Sequence, residues 1–181
     1  MCNVGCEPSG PGRTVAGMRR FAPLLLLVAI VVVLFARGRD SPSQHAGFGR
    51  AQVLRVVDGD TIRVRVDGHT ERVRYIGIDT PESVKPGTPV QCFAKRASAA
   101  NAALVAGRTV RLVGDVEARD RYGRLLAYVY REPDGAFVNA RLVRDGYART
   151  LTIAPNVAHA RELADLARAA RRERRGLWRS C

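Results

Sequence analysis

The chain has 181 residues, enough for one ordinary domain and an appendage. Its 30 Lys and Arg against 17 Asp and Glu leave a net charge of +13, which points to a polyanionic partner, either nucleic acid or an anionic membrane surface. Lysine occurs only at Lys85 and Lys95, so a coding bias explains the choice of Arg but not the excess of cations. Three scattered histidines (His45, His69, His159) and cysteines that lack zinc-ligand spacing in the globular part argue against a zinc site.

Residues 1–20 are a short basic segment. Residues 21–36 (FAPLLLLVAIVVVLFA) are almost wholly apolar, with Arg19 and Arg20 before them and Arg37 and Arg39 after. The run falls short of the roughly 20 residues of a comfortable membrane span and exceeds most signal-peptide cores. The expectation is an N-terminal hydrophobic helix that directs export, kept as a transmembrane anchor or removed as a signal so that the domain is secreted. The globular part then lies outside the cytoplasm. No small-x-small cleavage pattern follows, and Arg on both flanks leaves the orientation open. Met18 opens an MRR sequence suited to such a segment, so Met1 and Met18 are both candidate starts, and starting at Met18 removes Cys2 and Cys6.

Residues 37–50 read as a polar Gly/Ser/Pro-containing linker, and residues 51–181 as the domain. Gln52–Val57 is a first strand, Thr61–Val66 a second with period-two alternation, and Thr70–Ile78 a third. Asp58-Gly59 and Asp67-Gly68 separate them as hairpin turns. An exposed loop, Ser83–Val90, leads to an Ala-rich helix over Phe93–Ala106 that Gly107 closes. Thr109–Val113 and Leu125–Arg131 are a fourth and a fifth strand. Asn139 is placed to cap a short helix through Asp145. A long helix over Ala158–Arg175 carries Ala160, Leu163, Ala167 and Ala170 on one face, and Leu177-Trp178 folds back after Gly176. The expected class is α+β: a five-stranded antiparallel OB-fold β-barrel with about three α-helices, preceded by the hydrophobic N-terminal helix. Cys92 and Cys181 are the only cysteine pair of the domain; in an exported protein they are expected to form a disulfide, the alternative being two free thiols.

Three blocks combine ionisable residues with turn chemistry: VVDGDT (56–61), RYIGIDTPE (74–82) and DRYGRLLAYVY (120–130). Each alone is an ordinary turn or strand exit. Together they suit phosphodiester hydrolysis. Asp60 and Asp79 end neighbouring strands, where their carboxylates and the Thr80 carbonyl can converge on a hard cation such as Ca²⁺. Glu82, two residues on, is placed to orient or deprotonate an attacking water. Arg74 shares a strand parity with Ile76 and Ile78, and a cation there requires an anion. Arg124 approaches from a second turn. Two guanidiniums and a dication match the charge that builds on five-coordinate phosphorus.

The same blocks resemble the thermonuclease family of staphylococcal-nuclease-like proteins. DGDT, R-x-x-x-x-DTPE and D-x-YGR-x-LAYVY occur in the family's order, with VNARLVRDGYA (138–148) and a closing GLW, so the likeness runs from about Val53 to Trp178. The resemblance implies an OB-fold barrel and a Ca²⁺-dependent nuclease acting on DNA and RNA, with single strands preferred and 3′-phosphate ends left. It implies Asp60, Asp79 and the Thr80 carbonyl as metal ligands, Glu82 at the attacking water, and Arg74 and Arg124 on the phosphate. Arg121 and Tyr122 are candidate substrate contacts, and the protein is expected to be a monomer. Leu151 and Ile153 stand where well-studied members carry tyrosines that pack on the bound nucleotide, so affinity or base preference is expected to differ. The alternatives are a membrane-tethered, non-catalytic OB-fold module that binds nucleic acid, and a structural protein whose basic surface meets lipid. The full set of carboxylates and arginines favours catalysis over the first, and the second gives no reason for the three blocks.

Overall fold

The computed structural model describes residues 47–82, 87 and 89–181. The basic segment, the hydrophobic segment and most of the linker lie outside the described residues, as do positions 83–86 and 88. Among the described residues, no helix is long and apolar enough to cross a membrane.

The first strand, β1 (Gly47–Asp58), begins five residues before the expected Gln52. It is long because it serves two neighbours. Its first half pairs antiparallel with β5 (Thr109–Val113), and its second half with β2 (Thr61–Val66). Register shifts between Val53 and Arg55 and between Val56 and Asp58 mark bulges that bend the strand between those partners. β2 alternates as its TIRVRV sequence demands, with Ile62, Val64 and Val66 buried and Arg63 and Arg65 outward. Asp67 and Gly68 both take positive φ, 47° and 79°, the conformation a tight two-residue hairpin needs before β3 (His69–Tyr75).

The expected third strand is broken. β3 stops at Tyr75 and a short β4 (Gly77–Asp79) leaves in a new direction, pairing antiparallel with β8 (Arg149–Leu151). Gly77 makes the break possible: its φ is +79°, and a Cβ there would sit 2.6 Å from a Leu163 methyl. Closure of the sheet also differs from a purely antiparallel meander. β3 pairs in parallel with β6 (Leu125–Arg131), Val73 opposite Leu125 and Tyr75 opposite Ala127, so the order β3-β2-β1-β5-β6 returns to β3 as a closed mixed barrel of the OB type. β7 (Ala136–Phe137) adds a short hairpin on β6.

Val53, Ile62, Val64, Val73, Tyr75, Val110, Leu112 and Val129 fill the barrel. Three helices cover it: α1 (Ala94–Val105), α2 (Val138–Arg144) and α3 (Ala160–Arg172), and a last turn, α4 (Leu177–Ser180), follows. The α3 face anticipated from spacing is the one buried, at Leu163 and Ala170. Asn139 does not cap α2. Phe137 holds that position, and Asn139 is fully buried, its Oδ1 accepting from Val129 N–H at 3.0 Å and its Nδ2 donating to Ile76 O at 2.8 Å. The side chain therefore ties β6 to the break between β3 and β4, satisfying backbone groups that the break takes out of the ladder. Cys92, just before α1, is bonded to the terminal Cys181, with Cα atoms 6.0 Å apart.

Candidate active site

The site forms where the turn after β1 meets the end of β4. Asp58 shapes the turn, its Oδ1 accepting the Asp60 N–H at 3.0 Å. From α1, the buried Asn101 donates to the Asp58 carbonyl at 2.9 Å and accepts the Tyr75 hydroxyl at 3.0 Å. Gly59 allows close approach: a Cβ there would lie 2.6 Å from the Thr80 hydroxyl oxygen. Thr80 thus closes on Asp60, giving its N–H at 2.8 Å and its hydroxyl at 2.9 Å to Asp60 Oδ2, while the Thr61 hydroxyl reaches Oδ1 at 3.2 Å.

Arg74 joins the two candidate metal carboxylates. Its Nη1 lies 3.0 Å from Asp60 Oδ2 and its Nη2 3.0 Å from Asp79 Oδ1, and Nη1 also donates to the Ile78 carbonyl at 3.0 Å. The side chain is 14% exposed, against 6% for Asp60 and 54% for Asp79. Its placement has a different cause from the expected strand parity. The inward residues of β3 are Val73 and Tyr75, and the break at Gly77 severs Arg74 from the pattern of Ile76 and Ile78. Arg74 is held by anions, as a half-buried cation must be.

Burial, and then the charge of Asp60, push the Asp58 carboxyl up to about 6. Arg74 pairs with Asp60 and not with Asp58, and a bound cation would offset the repulsion between these two carboxylates. The oxygen-only donors, Asp60, Asp79 and the Thr80 carbonyl, fit a hard cation. No three of His, Cys, Asp and Glu cluster as a ligand set among the described residues, so water and substrate would complete the coordination.

A second arm comes from the turn before β6. Asp120 Oδ1 accepts the Tyr122 N–H at 2.9 Å and the Arg124 N–H at 3.0 Å, and Oδ2 takes Arg124 Nε at 2.7 Å. Burial pulls the Asp120 carboxyl upward, but Arg124 and the backbone N–H groups outweigh it and hold the group below the usual carboxylate range. Asp120 thus fixes Arg124 by its Nε, while the two terminal nitrogens make no hydrogen bond to the described residues. Arg121 donates to the Tyr122 hydroxyl at 2.7 Å and lies over that ring, which is 67% exposed. A cleft of about 490 Å³ runs past Arg74, Tyr122, Arg124, Leu151, Ile153 and Asn156. Leu151 and Ile153 present exposed aliphatic surface to it, and the Asn156 carboxamide fixes its wall through the Glu117 N–H at 2.7 Å and carbonyl at 2.9 Å.

Asp60, Arg74, Asp79 and Thr80 are thus bonded together, and Arg74, Arg121, Tyr122 and Arg124 share one cleft. Glu82 is not among the cleft-lining residues. It follows buried Pro81, and its backbone is paired with Gln91. Asn101, Gln91 and Asn139 went unnoticed as site supports. An Asn inside an Ala-rich helix was the one available signal, since a buried amide must be satisfied.

A closed OB barrel with two carboxylates and a guanidinium gathered at the ends of β1, β3 and β4, and further guanidiniums on the turn before β6, defines a class: an OB-fold protein whose site suits a cation and an anionic phosphate. Comparison with known proteins gives the family. The family model described as staphylococcal nuclease homologue matches residues 72–180. The chain is 36% identical over 162 residues to a thermonuclease of Staphylococcus hyicus, covering 86% of this chain and 95% of that protein. It is 38% identical over 160 residues to a thermonuclease of Staphylococcus intermedius, covering 86% and 94%. An uncharacterised endonuclease of Escherichia coli is 36% identical over 163 residues, covering 89% and 90%. The chain belongs to the staphylococcal nuclease homologue family.

Proposed function

We propose that this nuclease is a Ca²⁺-dependent endonuclease that hydrolyses DNA and RNA, prefers single strands and leaves 3′-phosphate ends. The observation that carries the reading is the bridging of Asp60 and Asp79 by Arg74 beside a cleft that also holds Arg124. Asp60, Asp79 and the Thr80 carbonyl would hold the cation, which supplies positive charge to the phosphate oxygens when bound. Arg124, with two terminal nitrogens to give, binds a non-bridging oxygen, and Arg74 lies at the carboxylate edge of the same cleft. Glu82 orients the attacking water and takes its proton. The new P–O bond forms as the bond to the 5′-oxygen breaks, which leaves phosphate on the 3′ side and a 5′-alkoxide that solvent protonates to the 5′-hydroxyl.

The hydrophobic segment at 21–36 and the Cys92–Cys181 bond support a site of action outside the cytoplasm, either tethered to the membrane or secreted. The protein is taken to act as a monomer. Mapping the ends of products from heat-denatured DNA and from RNA tests the reading. Ends that accept label only after 3′-phosphatase treatment are expected. Ends that are 3′-hydroxyl contradict the direction of cleavage, and a folded chain that retains strands without cutting them supports the non-catalytic module instead.

A further inference from the structure

β8 runs beside β4 with Arg149 opposite Asp79, Thr150 opposite Ile78 and Leu151 opposite Gly77. Leu151 lines the main cleft. Its neighbours Arg149 and Thr150 line a second recess of about 310 Å³, together with Arg168, Arg171 and Trp178. The recess therefore starts one residue along a strand from the site. Its lining includes three arginines and no carboxylate.

The partners of these cations matter more than their number. Arg168 is paired with Asp165. Arg149 and Arg171 have no ion pair among the described residues; both lie over the Trp178 ring, at 5.7 Å and 4.4 Å from its centroid. A ring face holds a guanidinium in place without neutralising it, so each keeps its N–H groups for an anion. The Trp178 indole N–H is itself buried with no acceptor among the described residues, one more donor left over at the same place.

We propose that this recess is a second phosphate subsite, which takes the backbone of the substrate strand beyond the scissile bond. The inference rests on the nuclease reading above, because continuity with the cleft through β8 is what selects a strand over an isolated anion. Arg149 and Arg171 contact non-bridging phosphate oxygens, and Trp178 is the platform that holds them. The consequence is a preference for long strands over short ones.

Trp178 is the single tryptophan of the chain, so its fluorescence reports the recess directly. The test titrates the full chain carrying Glu82→Gln, in chelator, with a long single strand, a dinucleotide, inorganic phosphate and anionic phospholipid vesicles. The long strand is expected to change the emission far below the concentration at which the dinucleotide or free phosphate does. The Arg149→Gln/Arg171→Gln pair should weaken the long strand about tenfold and flatten the log–log salt dependence by about 1.4, the share of two phosphate contacts on a single strand. Arg149→Lys/Arg171→Lys keeps the charges and should keep the slope, which separates lost contacts from lost folding. In the catalytic background, the ratio of kcat/KM for long over short substrate should fall with the glutamine pair. An unchanged affinity and slope in the glutamine pair overturns the subsite, as does an emission change produced by phosphate or vesicles but not by the strand. A wild type that neither cuts nor binds any strand overturns the nuclease reading itself, whereas normal cutting with an indifferent glutamine pair removes only the subsite.

Discussion

Glu82 and Gln91 hold each other across the loop that separates them: the Glu82 N–H donates to Gln91 Oε1 at 2.9 Å, and the Gln91 N–H donates to the Glu82 carbonyl at 3.0 Å. The residue assigned to the water is therefore positioned by a side chain outside the three motifs. Gln91→Ala removes one of the two bonds and should lower kcat roughly 10- to 100-fold with little change in KM, since misplacement of a reacting group acts on the chemical step. Steady-state kinetics on denatured DNA check this, and a rise in KM alone would argue against it.

The neighbour of Gln91 is Cys92, bonded to Cys181 across 89 residues of sequence. On the chain-entropy model, a loop of that length contributes about 4–5 kcal/mol, most of which reduction should remove. Denaturant unfolding with and without a dithiol measures it. Reduction should also lower kcat in the same sense as Gln91→Ala, because the bond anchors the segment that positions Glu82. Equal stability of the oxidised and reduced chains would contradict the structural role.

The two arginines should separate by phenotype. Arg74 is half-buried against Asp60, so Arg74→Ala leaves a buried carboxylate unpaired and should cost about 3 kcal/mol of stability as well as activity. Arg124 pairs with Asp120 at the rim of the cleft, and that carboxylate keeps the Tyr122 and residue-124 backbone N–H groups when the side chain is removed, so Arg124→Ala should lose about 10²–10³ in kcat at a stability cost smaller than that of Arg74→Ala. Thermal melts beside rate measurements on both variants decide this. Matching stability losses would show the division of labour to be wrong.

Asp58 supplies a pH signature. Its carboxyl is pushed up to about 6 by burial and then by Asp60, so between the ordinary carboxylate range and pH 6 the folded state binds more protons than the unfolded one. Stability of the metal-free protein should therefore fall as pH rises through that window and level off above it. Asp58→Asn keeps an oxygen for the Asp60 N–H and removes the charge; it should stabilise the metal-free protein at pH 7.5 by about 1–3 kcal/mol and flatten the decline. Chemical denaturation in chelator across pH tests it, and a variant less stable than wild type at pH 7.5 would refute the sign.

Residues whose role is set by local pattern were legible from the sequence: the D-G turns, the alternation of β2 and the buried face of α3. Roles that depend on contacts distant in sequence were not. The parallel pairing of β3 with β6 follows from barrel closure, and the break at Gly77 follows from packing against Leu163. Asn139 sits where a cap would, yet the backbone left unpaired by that break takes its side chain. Arg74 was correctly expected to need an anion, but from a strand parity that the same break interrupts.

The central claim is that one site, built on Asp60, Arg74, Asp79 and Glu82, hydrolyses phosphodiester bonds with the help of Ca²⁺. The most direct measurement is the cleavage rate of heat-denatured DNA by wild type and by Glu82→Gln, each with Ca²⁺ and with chelator. The account predicts cleavage by wild type in Ca²⁺, loss of that activity in chelator, and a fall of at least about 10² for Glu82→Gln in Ca²⁺. Cleavage that persists in chelator, or a Glu82→Gln rate close to wild type, would contradict it.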